Sequence, residues 1–346
     1  MFKLKKITVF IGLIILSSLL FSSCMKNQIN PISKQGIFLG TVCKITSYDN
    51  VSPSVFDKAY NRVNEIENKM SINKSPTEIT KINESSGKNY IKVSNDVMEV
   101  INKSIYYSSI SENKFDISIG CIDKLWNIGT EKARIPSQKE ITSKLPLVNY
   151  KNIIINKKEN LVMLKNKGML IDLGAIAKGY AGDEVKRILK ENGVNHAVIN
   201  LGGNIVTIGN NPNGDKWLIG IRDPFIPSAN PWAKINIYDK SIVTSGIYER
   251  FFEKNGKRYH HILDTKTGYP VNNSLVSVSI IADKSIDADA LSTTTFSLGL
   301  NKGLKLIESL KGIEAIFVTQ NHEVFISSGL KDNFQIINSN FKLKNY

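Results

Sequence analysis

The chain has 346 residues, 42% of them hydrophobic, and carries 45 lysines and arginines against 31 acidic residues, a formal charge of +14. That length supports one large domain or two small ones, and three cysteines exclude both a disulfide framework and a cysteine-based zinc site. The lysines are scattered among asparagine and isoleucine without a basic stripe or a nucleic-acid motif, so the charge argues only for compatibility with an anionic membrane surface.

At the N-terminus, Lys3, Lys5 and Lys6 precede an apolar run from Ile7 to Phe21, and Ser22-Ser23 lead into Cys24. The run falls short of the roughly 20 residues of a membrane span and reads as a secretory signal peptide over residues 1–23. A small residue before a cysteine at the end of such a run resembles a bacterial lipobox, which implies cleavage before Cys24 and lipidation of its sulfur. Without the leader lysines the charge falls to +11. Residues 24–35 then read as a polar tether, and the domain runs over 36–346 outside the cytoplasm, anchored to a bacterial membrane. Cys43 and Cys121 are left, and spacing alone does not say whether they pair.

Along the domain, Ile37 to Tyr48 alternates as a first strand. Ser54 to Met70 predicts an amphipathic helix, with Val55, Ala59, Val63, Ile66 and Met70 on one face. Asp96 to Ser111 predicts a second helix, and Met169 to Asp172 a short strand. A helix follows over Ile176 to Glu191, stopped by Gly193, and then a buried strand over His196 to Leu201. Beyond Trp217 short strands dominate: Leu218–Arg222, Lys234–Tyr238, Arg250–Glu253, Val276–Ile281, Ala315–Val318 and Val324–Ser327. Two helices, Asp287–Leu298 and Lys302–Leu310, interrupt them. Hairpin-rich strands with segregated helices predict an α+β fold with antiparallel sheets, not a doubly wound parallel sheet. No repeat and no interdomain linker is present.

Three stretches carry chemistry. Arg258-Tyr-His-His-Ile-Leu-Asp-Thr-Lys-Thr-Gly-Tyr-Pro-Val271 holds two of the four histidines and Asp264 beside a turn at Gly268 and Pro270. A strand end of this kind can present an imidazole and a carboxylate for acid–base work, although such residues are also ordinary surface. In Asp172-Leu-Gly-Ala-Ile-Ala-Lys-Gly-Tyr-Ala181 a strand turns through Gly174 into a helix. The helix start and Lys178 suit a phosphate, or equally form a capped helix with a solvated lysine; neither a Walker nor a Rossmann pattern is present. In Asp287-Ala-Asp-Ala-Leu-Ser-Thr-Thr294, Asp289, Ser292 and Thr293 fall at i, i+3 and i+4 on one helical face. One carboxylate with hydroxyl and carbonyl oxygens is hard-cation chemistry, favouring Mg²⁺ over zinc, unless the aspartates only offset the helix dipole. Gly246 and the glycine pair of Asn200-Leu-Gly-Gly-Asn204 permit close backbone approach; Phe115 and Trp126 read as core.

In order along the chain, these segments resemble the ApbE family of FAD:protein FMN transferases. The resemblance takes in Leu39-Gly-Thr41, Met70-Ser71, Phe115-Asp-Ile-Ser-Ile-Gly120, Leu125-Trp126 and the Asp172–Tyr180 stretch. It continues through Asn200–Gly203, Gly220–Pro224, Thr244–Gly246, His261–Asp264, Thr267–Pro270 and Asp289–Thr293. It implies a T-fold-related α+β catalytic domain over 36–346 that cleaves FAD, places FMN on a serine or threonine hydroxyl of an acceptor flavoprotein and releases AMP. Mg²⁺ is implied at the Ala175 carbonyl, Asp289 and Thr293, with Ser292 nearby. FAD contacts are implied at Leu39, Asn73, Lys114, Phe115, Asp116, Asp172, Lys178 and Leu263. His261 is implied as the base, oriented by Asp264, and His260 is set aside because neighbouring strand residues face opposite ways. The expected acceptor is an extracytoplasmic flavoprotein, such as a subunit of a membrane electron-transfer complex.

The chain departs from the family pattern in having Leu39 for Met, Thr265 for Pro and Asn73 where many members have Tyr. Loss of an aromatic at Asn73 removes stacking surface for flavin and favours a second reading, Mg²⁺-dependent hydrolysis of FAD to FMN and AMP. A flavin-binding lipoprotein without chemistry would need neither His261 and Asp264 nor the hard-oxygen face. A solute-binding lipoprotein would show two similar lobes, and no duplication is present.

Overall fold

A computed structural model describes residues 30–226 and 230–345. The leader read over 1–23 and Cys24 lie outside them. The chain opens with a hairpin: β1 (Ile32–Phe38) and β2 (Thr41–Ser47) pair antiparallel around Leu39 and Gly40, whose φ angles are 54° and 69°. The single strand expected from Ile37 to Tyr48 is thus broken by a two-residue turn, because its first position is a leucine in the left-handed region, which composition does not signal. Pairing begins at Ile32, inside the segment read as tether, and the Tyr60 hydroxyl donates to the Lys34 carbonyl at 2.6 Å. The fold therefore starts before residue 36.

The helices are α1 (Pro53–Met70), α2 (Glu78–Glu84), α3 (Asn95–Ile110), α4 (Gly120–Trp126), α5 (Gln138–Lys144), α6 (Ala177–Glu191), α7 (Ser285–Leu298) and α8 (Leu300–Glu308). The further strands are β3 (Ile91–Lys92), β4 (Ile153–Asn156), β5 (Leu161–Leu164), β6 (Ala197–Leu201), β7 (Asn204–Ile208), β8 (Trp217–Ile221), β9 (Ala233–Ile237) and β10 (Ser241–Gly246). They continue with β11 (Phe251–Lys254), β12 (Lys257–His260), β13 (Leu275–Ala282), β14 (Glu314–Thr319), β15 (Glu323–Ile326), β16 (Phe334–Ile336) and β17 (Lys342–Leu343). α1 starts where Ser52 caps it and Pro53 sets its first turn, and its predicted apolar stripe is buried. The short helices α2, α4 and α5 lack the length for a periodic signal. Met169 to Asp172 forms no strand; only Leu170 bridges to Ile119.

Nine strands form the main sheet in the order β1-β2-β6-β7-β10-β13-β14-β15-β17, antiparallel throughout except for β15 with β17. One face carries α1, α6 and α7. The other packs against the small sheet β16-β9-β8 through Trp217, Trp232 and Ile235. β13 is buried along its whole length, because Val278, Ile280 and Ala282 enter the helical core while Val276 and Ile281 enter the second one. A third cluster of Cys121, Ile122, Trp126, Ile141 and Leu263 fastens α4 and α5 to the segment that follows β12. Cys43 and Cys121 are buried, unpaired thiols, so no disulfide joins them. This is the α+β, antiparallel architecture expected. No helix among the described residues is long and apolar enough to cross a membrane.

Candidate active site

The site grows from the contact of α6 with α7. Gly179 in the first turn of α6 lies so near α7 that a Cβ there would stand 2.3 Å from the Ser285 carbonyl oxygen and 2.7 Å from the Asp289 Cβ. Only glycine permits that approach. The Gly179 N–H donates to Asp289 Oδ2 at 2.8 Å, and Lys178 Nζ stands 3.5 Å from Oδ1. Asp289 is 3% exposed, so its charge is answered by a helix start and an ammonium group rather than by bulk water. Thr293, one turn on, is partly accessible. Its Oγ1 lies 3.3 Å from the Ser245 hydroxyl in the Thr244-Ser-Gly246 motif of β10.

His261 follows β12. Its backbone N–H and its Nδ1 both lie 3.1 Å from the Arg250 carbonyl oxygen. That oxygen only accepts, so Nδ1 carries the ring proton and Nε2 keeps a free lone pair. Burial, and then the nearby Arg250 guanidinium, push the imidazole down to about 3, while its contact with that carbonyl opposes them and the Lys178 charge adds to the fall. A neutral ring with one open nitrogen is a proton acceptor.

Arg250 also acts on two carboxylates. Asp172 accepts from the Gly174 N–H at 2.8 Å, in the turn that leads into α6. Asp123 stands in the first turn of α4, which Gly120 lets lie against the 170–171 backbone; a Cβ there would meet the Leu170 carbonyl oxygen at 2.9 Å. Burial, and then the Asp172 charge, hold the Asp123 carboxyl well above the ordinary range; burial raises Asp172 as well, and Arg250 opposes both. Asp123, Arg250 and Ser245 were not singled out from the sequence. Arg250 had a usable signal, a cation opening the hairpin that ends at the histidines.

Several expected roles change in three dimensions. Asp264 does not orient His261: its carboxylate pairs with Lys114 and accepts the Lys266 and Thr267 N–H groups at 2.8 and 3.0 Å. It therefore ties the turn to the residues before Phe115 and draws Lys114 away from a role devoted to ligand. Ser292 is wholly buried, donates to the Asp289 carbonyl at 2.8 Å and meets the Ser245 hydroxyl at 2.8 Å, so its oxygen supports Asp289 from behind. Asp116 is likewise occupied, accepting from the Ser118 N–H and hydroxyl and the Tyr150 N–H at 2.6–2.8 Å. Phe115 and Leu263 are core, as is Trp126. Leu39 caps the first hairpin half-buried, Asn73 is exposed just beyond α1, and half-buried Ala175 lies in the turn before α6.

The donor set fits a hard cation: a buried carboxylate and the Thr293 hydroxyl both offer oxygen. Among the described residues no group of three or more His, Cys, Asp or Glu could hold a metal, so such an ion would complete its shell from water and substrate oxygens. A carboxylate, an ammonium and a helix start, with the His261 imidazole within electrostatic reach of Lys178, define an α+β enzyme suited to phosphoryl chemistry.

The model of the ApbE family matches residues 39–317, and the chain belongs to that family. A FAD:protein FMN transferase of Klebsiella pneumoniae is 34% identical over 313 residues, 90% of this chain and 96% of that protein. One of Treponema pallidum is 30% identical over 335 residues, 92% of each chain. The crystal structure of the ApbE protein of Thermotoga maritima superposes with a TM-score of 0.81 at 29% identity, over 88% of this chain and 99% of that one.

Proposed function

We propose that the chain is a Mg²⁺-dependent FAD:protein FMN transferase that moves FMN from FAD onto a serine or threonine hydroxyl of an extracytoplasmic flavoprotein. The observation that carries this reading is the His261 ring, held through Nδ1 against the Arg250 carbonyl with Nε2 turned free. The acceptor oxygen attacks the phosphorus on the FMN side of the pyrophosphate, its proton passes to His261 Nε2, and the bridging P–O bond breaks as AMP leaves. Lys178 and the first turn of α6 steady the pyrophosphate oxygens. Mg²⁺, held by Asp289, Thr293 and the Ala175 carbonyl, would supply Lewis-acid neutralisation of phosphate charge. The chain acts outside the cytoplasm, held to a bacterial membrane by a lipid on Cys24; the Lys3–Phe21 pattern ahead of that cysteine supports this.

FAD hydrolysis is the second reading, favoured by exposed Asn73, which offers no ring to retain flavin. One assay separates the two: incubate the protein with FAD and Mg²⁺, with and without a threonine-bearing acceptor domain, and follow AMP, free FMN and acceptor mass. AMP with FMN on the acceptor is the expected outcome; AMP with free FMN alone turns the reading to hydrolysis, and absence of AMP overturns both. His261→Ala should lower AMP formation by about 10²-fold or more with FAD binding retained. Asn73→Tyr should tighten FAD and slow release of free FMN, and an unchanged affinity removes that residue from the argument.

A further inference from the structure

Neither helix start at the site is capped by its own side chain. α6 begins after Ile176 and α7 after Lys284, and neither residue offers a capping hydrogen bond. Each instead takes a carboxylate from the other helix. Asp289 of α7 accepts the Gly179 N–H of α6, and Asp183 of α6 accepts two first-turn donors of α7, the Ser285 N–H at 2.7 Å and the Ile286 N–H at 3.0 Å. Gly179, Gly182 and Asp183 lie at i, i+3 and i+4, so they share one face of α6. A Cβ at Gly182 would meet the Ser285 Oγ at 3.1 Å, so this face abuts the first turn of α7 closely. The exchange is reciprocal, and a shift of either helix along the other would break both halves.

We propose that Asp183 is a positioning residue that sets where Asp289 stands against Gly179 and Lys178. The proposal rests on the reading of Asp289 as part of the phosphate and cation site, and deepens it. Both Asp183 oxygens are taken by N–H groups of α7, so it acts through that helix rather than on a ligand. It fixes the N-terminus of α7, and through one turn of that helix fixes the carboxylate on which the site depends. Lys103 and the Tyr107 hydroxyl, each 2.7 Å from Asp287 Oδ1, hold the same turn from α3. The turn therefore stays folded without Asp183, but it loses the two hydrogen bonds that fix its register against α6.

The test compares Asp183→Ala, Asp183→Asn and Asp289→Ala in the full chain, with FAD and with Mg²⁺ as the probes. In Asp183→Ala the Mg²⁺ concentration for half-maximal AMP release should rise about tenfold, with a smaller change in kcat. Amide hydrogen exchange supplies a readout independent of turnover. A purely local cap would speed exchange only at Ser285 and Ile286, whereas the positioning role also speeds it at Gly179, on the other helix. Asp183→Asn, which keeps one acceptor oxygen, should fall between wild type and alanine on both readouts, and carries the test alone if the alanine variant does not fold. Wild-type exchange at Gly179 and an unchanged Mg²⁺ dependence in the folded variants overturn the proposal. Full AMP release by Asp289→Ala instead overturns the reading of the site, while the exchange result at Gly179 still reports on the cap.

Discussion

His260 and His261 are neighbours with opposite fates. His260 points inward: its Nε2 donates to the Val271 carbonyl at 3.0 Å, its Nδ1 accepts from the Ile262 N–H at 3.3 Å, and its ring meets Phe296 edge-on. Both nitrogens are occupied, so it is a core residue, whereas His261 keeps Nε2 open. Burial pushes His260 down to about 4. Between that value and the ordinary histidine range near 6.5, the unfolded chain binds a proton that the fold refuses, so stability is present above about pH 6.5 and is lost as pH falls toward 4. The expected loss is about 3 kcal/mol. Urea unfolding between pH 4 and 7 should show it on top of the same-signed contribution of His261, and His260→Gln should reduce the wild-type slope in that window without abolishing it. Equal slopes would remove His260 as the cause.

At the scale of elements, the α6–α7 contact does most to build the site, and a glycine sets its spacing. Gly179→Ala places a methyl group where the Ser285 carbonyl and the Asp289 Cβ already stand, both of which belong to an ordered helix rather than a flexible side-chain end. The helices must separate, at a cost of about 1–3 kcal/mol. The displacement falls on Asp289, so the expected result is a lower unfolding midpoint together with Mg²⁺ dependence weakened by at least tenfold. A variant destabilised to that degree with wild-type Mg²⁺ dependence would show that the spacing serves packing alone. The β11–β12 hairpin has a comparable role. Its Arg250 carbonyl sets the His261 tautomer, and Phe252, Tyr259 and Trp126 pack together beneath it.

For the molecule as a whole, the nine-stranded sheet holds the site on one face while the small β16-β9-β8 sheet covers the other. The first strand begins at Ile32, so the proposed lipid on Cys24 would be joined to the fold only through the stretch from Cys24 to Pro31. Fully extended, that stretch reaches about 26–29 Å at 3.3–3.6 Å per residue, so a domain anchored there would work close to the bilayer. Cys24→Ala should move the protein from the membrane to the soluble fraction of fractionated cells while leaving activity on soluble FAD unchanged. Membrane association that persists in the variant would refute the lipid anchor.

The sequence by itself determined the α+β class, the long helices and most strands beyond Trp217, and it named Lys178, His261, Asp289 and Thr293 as candidates without Asp123, Arg250 or Ser245. Those features follow from local periodicity, helix punctuation and the order of motifs along the chain. It also separated His261 from His260, since strand alternation turns adjacent side chains to opposite faces. Tertiary structure alone decided the partners. Asp264 lies three residues from His261, yet it pairs with Lys114, 150 residues away. The ring of His261 is held by a carbonyl across a hairpin, and Asp183 reaches a helix start 102 residues on. Ser292 shares a helical face with Asp289 and is nevertheless sealed behind it. Local spacing constrains which side chains share a face, but a charged or polar group settles on whichever partner compensates its desolvation, and folding brings that partner from elsewhere in the chain.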